Sequence, residues 1–170
     1  MLYNFLRFII SVLKLKIEPG ALRLSPEQMI GGFMQKVPKL SDFAVGKPND
    51  AYAKYFIGQS WLAPLTTKQV PTYNVTFEPR CRNNWHIHHA EKGGGQMLIC
   101  VYGRGWVQLD GESAHELKAG DVFNIPPNIK HWHGAAKDSW FQHLSLEVPG
   151  EGTSNEWLEP VTDEVYDKLP

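Results

Sequence analysis

The chain has little cysteine, no excess of either charge and no apolar run long enough for a membrane, and each shortage removes a class of protein. Cys81 and Cys100 are the only cysteines and neither sits in a Cys-x-x-Cys pair, so neither a disulfide framework nor a cysteine zinc site is indicated. Two free thiols suit a reducing cytoplasm, the expected location. A formal charge of −1 lacks the basic excess of a nucleic-acid binder, so no nucleic-acid partner is expected. Targeting has to be considered at one place, the segment MLYNFLRFIISVLKLK, whose apolar stretch from Leu2 to Leu13 contains Arg7 and is too short to span a bilayer. It also lacks the basic leader and small-residue cleavage site of a secretory signal. The segment reads as a helix packing on the domain or on a partner subunit, or as an extension upstream of the true start, with a membrane-surface anchor as the alternative.

What is present is a globular composition, 42% apolar with 12 prolines and 15 glycines, in 170 residues, enough for one core of ordinary size. The stretch SPEQMIGGFMQ has a capping serine, a proline at the first helical position and an apolar helical pattern. From Tyr52 onward the texture changes to short β-like runs broken by Pro, Gly, Asn and Asp, which predicts an antiparallel sandwich or barrel. VTDEVYDKLP closes the chain as a short helix capped at Thr162 or Asp163. The division is residues 1–50 as an N-terminal extension with short helices, 51–150 as the barrel, and 151–170 as a strand and helix tail.

The segment WHIHHAEKGGGQMLICVYGRG, Trp85 to Gly105, holds three histidines in four positions. Alternate side chains of a strand share a face, so His86 and His88 point one way and Trp85, Ile87 and His89 the other. If the strand opened by Gln96 faces the same interior, Leu98, Cys100 and Tyr102 line the cavity with it, and Met97, Ile99 and Val101 are buried on the opposite side. His131 and His133 in PPNIKHWHG repeat the i, i+2 geometry.

Between about Arg80 and Ala135 the chain resembles the cupin superfamily in both of its sequence motifs. The first, a glycine, then HxH, a carboxylate and a second glycine, falls on Arg80, His86, His88, Gln96 and Gly103. The second, a glycine, PxG, a histidine and an asparagine, falls on Gly120, Pro126, Asn128, His131 and Ala135. Arg80 and Asn128 stand where relatives have turn glycines; asparagine tolerates a left-handed backbone, whereas Arg80 predicts a turn built differently. Gln96 stands where most relatives have glutamate, so the site adds no negative charge of its own and leaves a bound cation its full formal charge.

The resemblance implies an all-β fold, a single cupin barrel of the double-stranded β-helix or jelly-roll type with short terminal helices, and a metal held by His86, His88, Gln96 and His131. Mixed nitrogen and oxygen ligation suits Mn²⁺, Fe²⁺, Ni²⁺ or Zn²⁺; resemblance to the bacterial manganese-dependent hydroxynitrile lyases through HWHGA and His143 favours Mn²⁺. His143 is a candidate acid–base group or a support for a ligand, and His133 either faces substrate or is a satisfied wall histidine. The expected function is Lewis-acid chemistry of a lyase, isomerase or decarboxylase type on a small organic molecule, by a homodimer. An iron-dependent oxygenase and a non-catalytic small-molecule binder, such as the cupins associated with carboxymuconolactone decarboxylase-like proteins, are the alternatives. Cys100 reads as a small buried hydrophobe, His89 as a loop-stabilising residue, and Trp106, Trp132, Trp140 and Phe141 as core or cavity wall.

Overall fold

The computed structural model describes residues 37–170; the leader segment and the SPEQMIGGFMQ helix expected from the sequence lie outside the described residues. The described chain runs as β1 (Lys47–Pro48), β2 (Phe56–Ile57), β3 (Ser60–Thr66), β4 (Thr72–Phe77), β5 (Arg82–Asn83), β6 (His86–His89), β7 (Lys92–Gly93), β8 (Gln96–Leu109), β9 (His115–Lys118), β10 (Val122–Ile125), β11 (His131–Ala135), β12 (Phe141–Glu147), β13 (Gly150–Glu151) and β14 (Ser154–Trp157). The fold is all-β, as expected. A 3₁₀ turn over Asp50–Tyr55 and a four-residue helix, Asp163–Tyr166 with Thr162 as its N-cap, are the helical elements among the described residues, and no described helix is long and apolar enough to cross a membrane.

The strands curl into one sheet ordered β1-β3-β4-β12-β8-β11-β5-β2, with β9 and β10 also on β8 and β6 joined to β11 and β14; β7 and β13 make a separate ribbon. The sheet takes in β1 and β14, on either side of residues 51–150. Its hinge is β8, which the Gly103 and Gly105 breaks lead one to read as two strands but which is one bent strand of 14 residues. Its first half pairs with β10 and β12, its second with β9 and β11, so a single chain segment belongs to both faces of the barrel. Gly103 makes the bend possible: its φ is 71°, and a Cβ there would lie 1.7 Å from the Trp140 carbonyl oxygen.

Beside it the pairing with β12 slips by one residue. Gln142 faces Tyr102 but His143 faces Cys100, and Val101 is skipped. A one-residue slip inverts the faces, which corrects the expected lining: Gln96, Leu98 and Cys100 point inward, but Tyr102 is 38% exposed, and Met97, Ile99 and Val101 are half-buried rather than buried. The interior of the curled sheet is filled by Val75, Phe77, Leu98, Cys100, Val107 and Phe141.

A second cluster, Trp106, Trp132, Val161 and Tyr166, clamps the C-terminal segment to the outside of β11. The Tyr166 hydroxyl donates to the Ala135 carbonyl at 2.7 Å, and the fully buried Arg82 donates to the Val161 carbonyl while its guanidinium lies 4.4 Å over the Tyr166 ring. Arg80 does not build a different turn, contrary to expectation. It takes the left-handed backbone of the glycine it replaces, with φ 71°, and Asn128 does the same with φ 65°.

Candidate metal centre

The antiparallel pairing of β6 and β11 sets His131 opposite His86, and side chains of directly opposed residues share a face. Their ring centroids are 4.1 Å apart. His88, two residues along the same face, lies 5.3 Å from His86 and 5.5 Å from His131. Gln96 enters from β8. All four residues are buried, and His86, His88 and Gln96 line a cavity of about 650 Å³.

Hydrogen bonds fix what each side chain offers. Nδ1 of His86 donates to the Asn84 carbonyl at 3.0 Å, Nδ1 of His131 to the Ile129 carbonyl at 2.9 Å, and Nδ1 of His88 to Glu147 Oε2 at 3.1 Å. In each neutral ring Nε2 therefore carries the lone pair. Gln96 donates its Nε2 to Ser145 Oγ at 2.9 Å, which leaves Oε1 as the available atom. Six buried polar side-chain atoms lack a partner among the described residues, and His88 Nε2, Gln96 Oε1 and His131 Nε2 are three of them. Leaving such an atom unpaired costs about 1–3 kcal/mol. Unpartnered acceptors on His88, Gln96 and His131 fit a cation, and their nitrogen and oxygen mixture suits a divalent one.

Protonation agrees with this. Burial, reinforced by His131 and His88, holds His86 well below the ordinary histidine value, and burial pushes His131 down to about 4. Neutral imidazoles are what a metal needs as ligands.

The tightest trio of ring nitrogens among the described residues is His86, His131 and His133, all within 4.8 Å of one another, which exchanges His88 of the expected set for His133. The hydrogen bonding separates the two candidates. Asn83 Oδ1 accepts the His133 backbone N–H at 2.9 Å, so its Nδ2 faces the ring, 3.1 Å from Nε2 and 3.3 Å from Nδ1, and His143 Nε2 lies 3.2 Å from Nδ1. His133 thus has partners at both nitrogens, whereas His88 Nε2 has none. His133 lines the cavity; His143 is fully buried behind it, against Phe77 and Phe141. Burial holds both below the usual range, His143 at about 4.

A cupin domain model matches residues 73–145. An (R)-mandelonitrile lyase from Granulicella tundricola is 39% identical over 118 residues, 67% of this chain and 87% of the relative. This chain belongs to the cupin family. A cupin-like protein from Thermotoga maritima, solved by crystallography, is 38% identical over 75% of this chain and 96% of its own, with a TM-score of 0.67.

The inward face of β12 organises this cupin's centre in a way its sequence does not announce. His143, Ser145 and Glu147, at i, i+2 and i+4, each hold a side chain from another strand: His133, Gln96 and His88 respectively. The cavity's aromatic wall was also not foreseen. Tyr52, Phe56, Tyr73 and Trp157 line it, and Trp157 stacks on His86 at 4.7 Å because β14 pairs with β6 in that register. Of the four aromatics expected as core or cavity wall, Phe141 lies in the main core, Trp106 and Trp132 in the second cluster, and Trp140 packs against Trp61. His89 points out, between Glu156 at 2.7 Å and Asn128 at 3.3 Å.

Neither cysteine belongs to the centre. Both are buried, and burial pushes the Cys100 thiol up to about 11 and Cys81 higher still. The thiolate is the reactive form, so at pH 8 a thiol reagent should label neither cysteine in the folded protein and both in denaturant. Rapid labelling of either one without denaturant would contradict that burial.

Proposed function

We propose that this cupin is a metal-dependent lyase that cleaves cyanohydrins bearing an aromatic or comparably flat apolar group, with the cation held by His86, His88, Gln96 and His131. The observation that carries the reading is the set of unpartnered buried acceptors on His88, Gln96 and His131 beside a cavity lined by aromatic rings and by His133. The similarity to a mandelonitrile lyase supports it. Among suitable cations Mn²⁺ is favoured by the sequence resemblance to the manganese-dependent hydroxynitrile lyases through HWHGA and His143.

A bound divalent cation would supply Lewis acidity and stabilise developing negative charge. The chain's own residues supply the rest. His133 Nε2 accepts the substrate hydroxyl proton in place of the bond from Asn83, and His143 Nε2 shares the resulting charge through Nδ1. As the carbonyl forms, the bond to the nitrile carbon breaks and its electron pair leaves as cyanide, which takes the proton back from His133. Burial holds His133 low, so the ring is neutral at neutral pH and, once protonated, gives the proton up readily. Trp157, Tyr52 and Phe56 form the wall against which the flat group rests.

The test is turnover of racemic mandelonitrile by Mn²⁺-loaded protein, followed by benzaldehyde absorbance and the enantiomer remaining. Selective consumption of the (R) form is expected. Metal-loaded protein that binds mandelonitrile without releasing aldehyde would replace the lyase by a binding role.

A further inference from the structure

The four proposed ligands are all neutral, yet a carboxylate stands immediately behind them. Glu147 is the Cα partner of Gln96 across the β8–β12 ladder, so the two side chains share the inward face where the charge-bearing ligand of most relatives would stand. Its Oε2 accepts from His88 Nδ1 at 3.1 Å, and its side chain, 32% exposed, lines the cavity. The other two histidines are held by backbone carbonyls, of Asn84 and Ile129. Of the three, only His88 is oriented by a group that brings a formal charge.

We propose that Glu147 is a positioning residue that returns to the centre, through His88, the negative charge that Gln96 does not supply. A carboxylate on the far nitrogen of an imidazole fixes its tautomer and makes the near nitrogen a stronger donor. The cation then does not keep its full formal charge, as Gln96 alone would imply, but is offset at one remove, while Gln96 Oε1 stays a neutral ligand anchored by Ser145. This inference rests on the metal-binding reading.

The test uses metal-free full-length chain titrated with MnCl₂, with free Mn²⁺ read by electron paramagnetic resonance. Glu147→Gln should weaken binding about 10- to 100-fold while still reaching one ion per chain and leaving the thermal midpoint of the metal-free protein unchanged. Adding Gln96→Glu to that variant restores the charge at the ligand itself, where Ser145 can donate to it, and should recover the lost affinity. Glu147→Gln binding Mn²⁺ within twofold of the parent would overturn the proposal, as would a loss that Gln96→Glu fails to recover. A parent chain that takes up no Mn²⁺ would instead sink the metal reading on which it stands.

Discussion

Replacing His133 with alanine should lower mandelonitrile turnover by roughly 10²- to 10⁴-fold, the usual contribution of a positioned acid–base group, and leave the metal content at one per chain. Both halves matter. His133 belongs to the tightest histidine trio, and a reading from ring distances alone would make it a ligand and predict an empty site. The proposed set keeps His88 instead, because Asn83 and His143 lie at hydrogen-bonding distance from the nitrogens of His133 while His88 Nε2 stands unpartnered. Alanine at His143 should act in the same direction and also spare the metal, because His143 touches His133 and none of the four proposed ligands by hydrogen bond. Metal content is measured by elemental analysis and turnover by aldehyde release. Loss of metal from the His133 variant would move that residue into the ligand set and displace His88.

The metal-free protein should be sharply acid-labile between about pH 6.5 and pH 4. A histidine free in the unfolded chain takes a proton near 6.5, whereas His131 and His143 in the fold do so only at about 4, and His86 and His133 are lowered as well. Within that window the unfolded state binds more protons, so stability falls as pH falls; above it the contribution is fully present. A shift of that size corresponds to about 3 kcal/mol for each of His131 and His143, and two such terms rival the 5–15 kcal/mol that holds an ordinary domain together. Bound metal adds stability only while its ligands stay unprotonated. The thermal midpoints of loaded and metal-free protein should therefore differ most near neutrality and converge on acidification. They are measured by scanning both forms from pH 8 to pH 4.5. A metal-free midpoint that stays flat across this range would mean that the histidines are charged in the fold or open to water.

What the sequence made legible is what depends on strand alternation. The i, i+2 spacing of His86 with His88 and of His131 with His133 places each pair on one face without knowledge of the partner strand, and the structure brings both pairs to the same cavity region. The residues that escaped depend on register between strands. Glu147 reaches His88, and Trp157 reaches His86, only because β12 and β14 pair with β8 and β6 at particular positions. Tyr102 was misplaced for a similar reason: the slip at Val101 reverses an alternation that looks unbroken in the sequence. Arg80 shows the opposite limit, since a residue poorly suited to a left-handed turn adopts one where its backbone N–H donates to the Ala136 carbonyl and its guanidinium pairs with Asp167 at 2.7 Å.

On the proposed reading, the four side chains His86, His88, Gln96 and His131 hold one divalent cation. Elemental analysis of protein purified without added metal, beside the His86→Ala/His131→Ala double variant prepared identically, tests it most directly. One ion per parent chain and none in the folded double variant is the predicted result; stoichiometric metal in the double variant would contradict it.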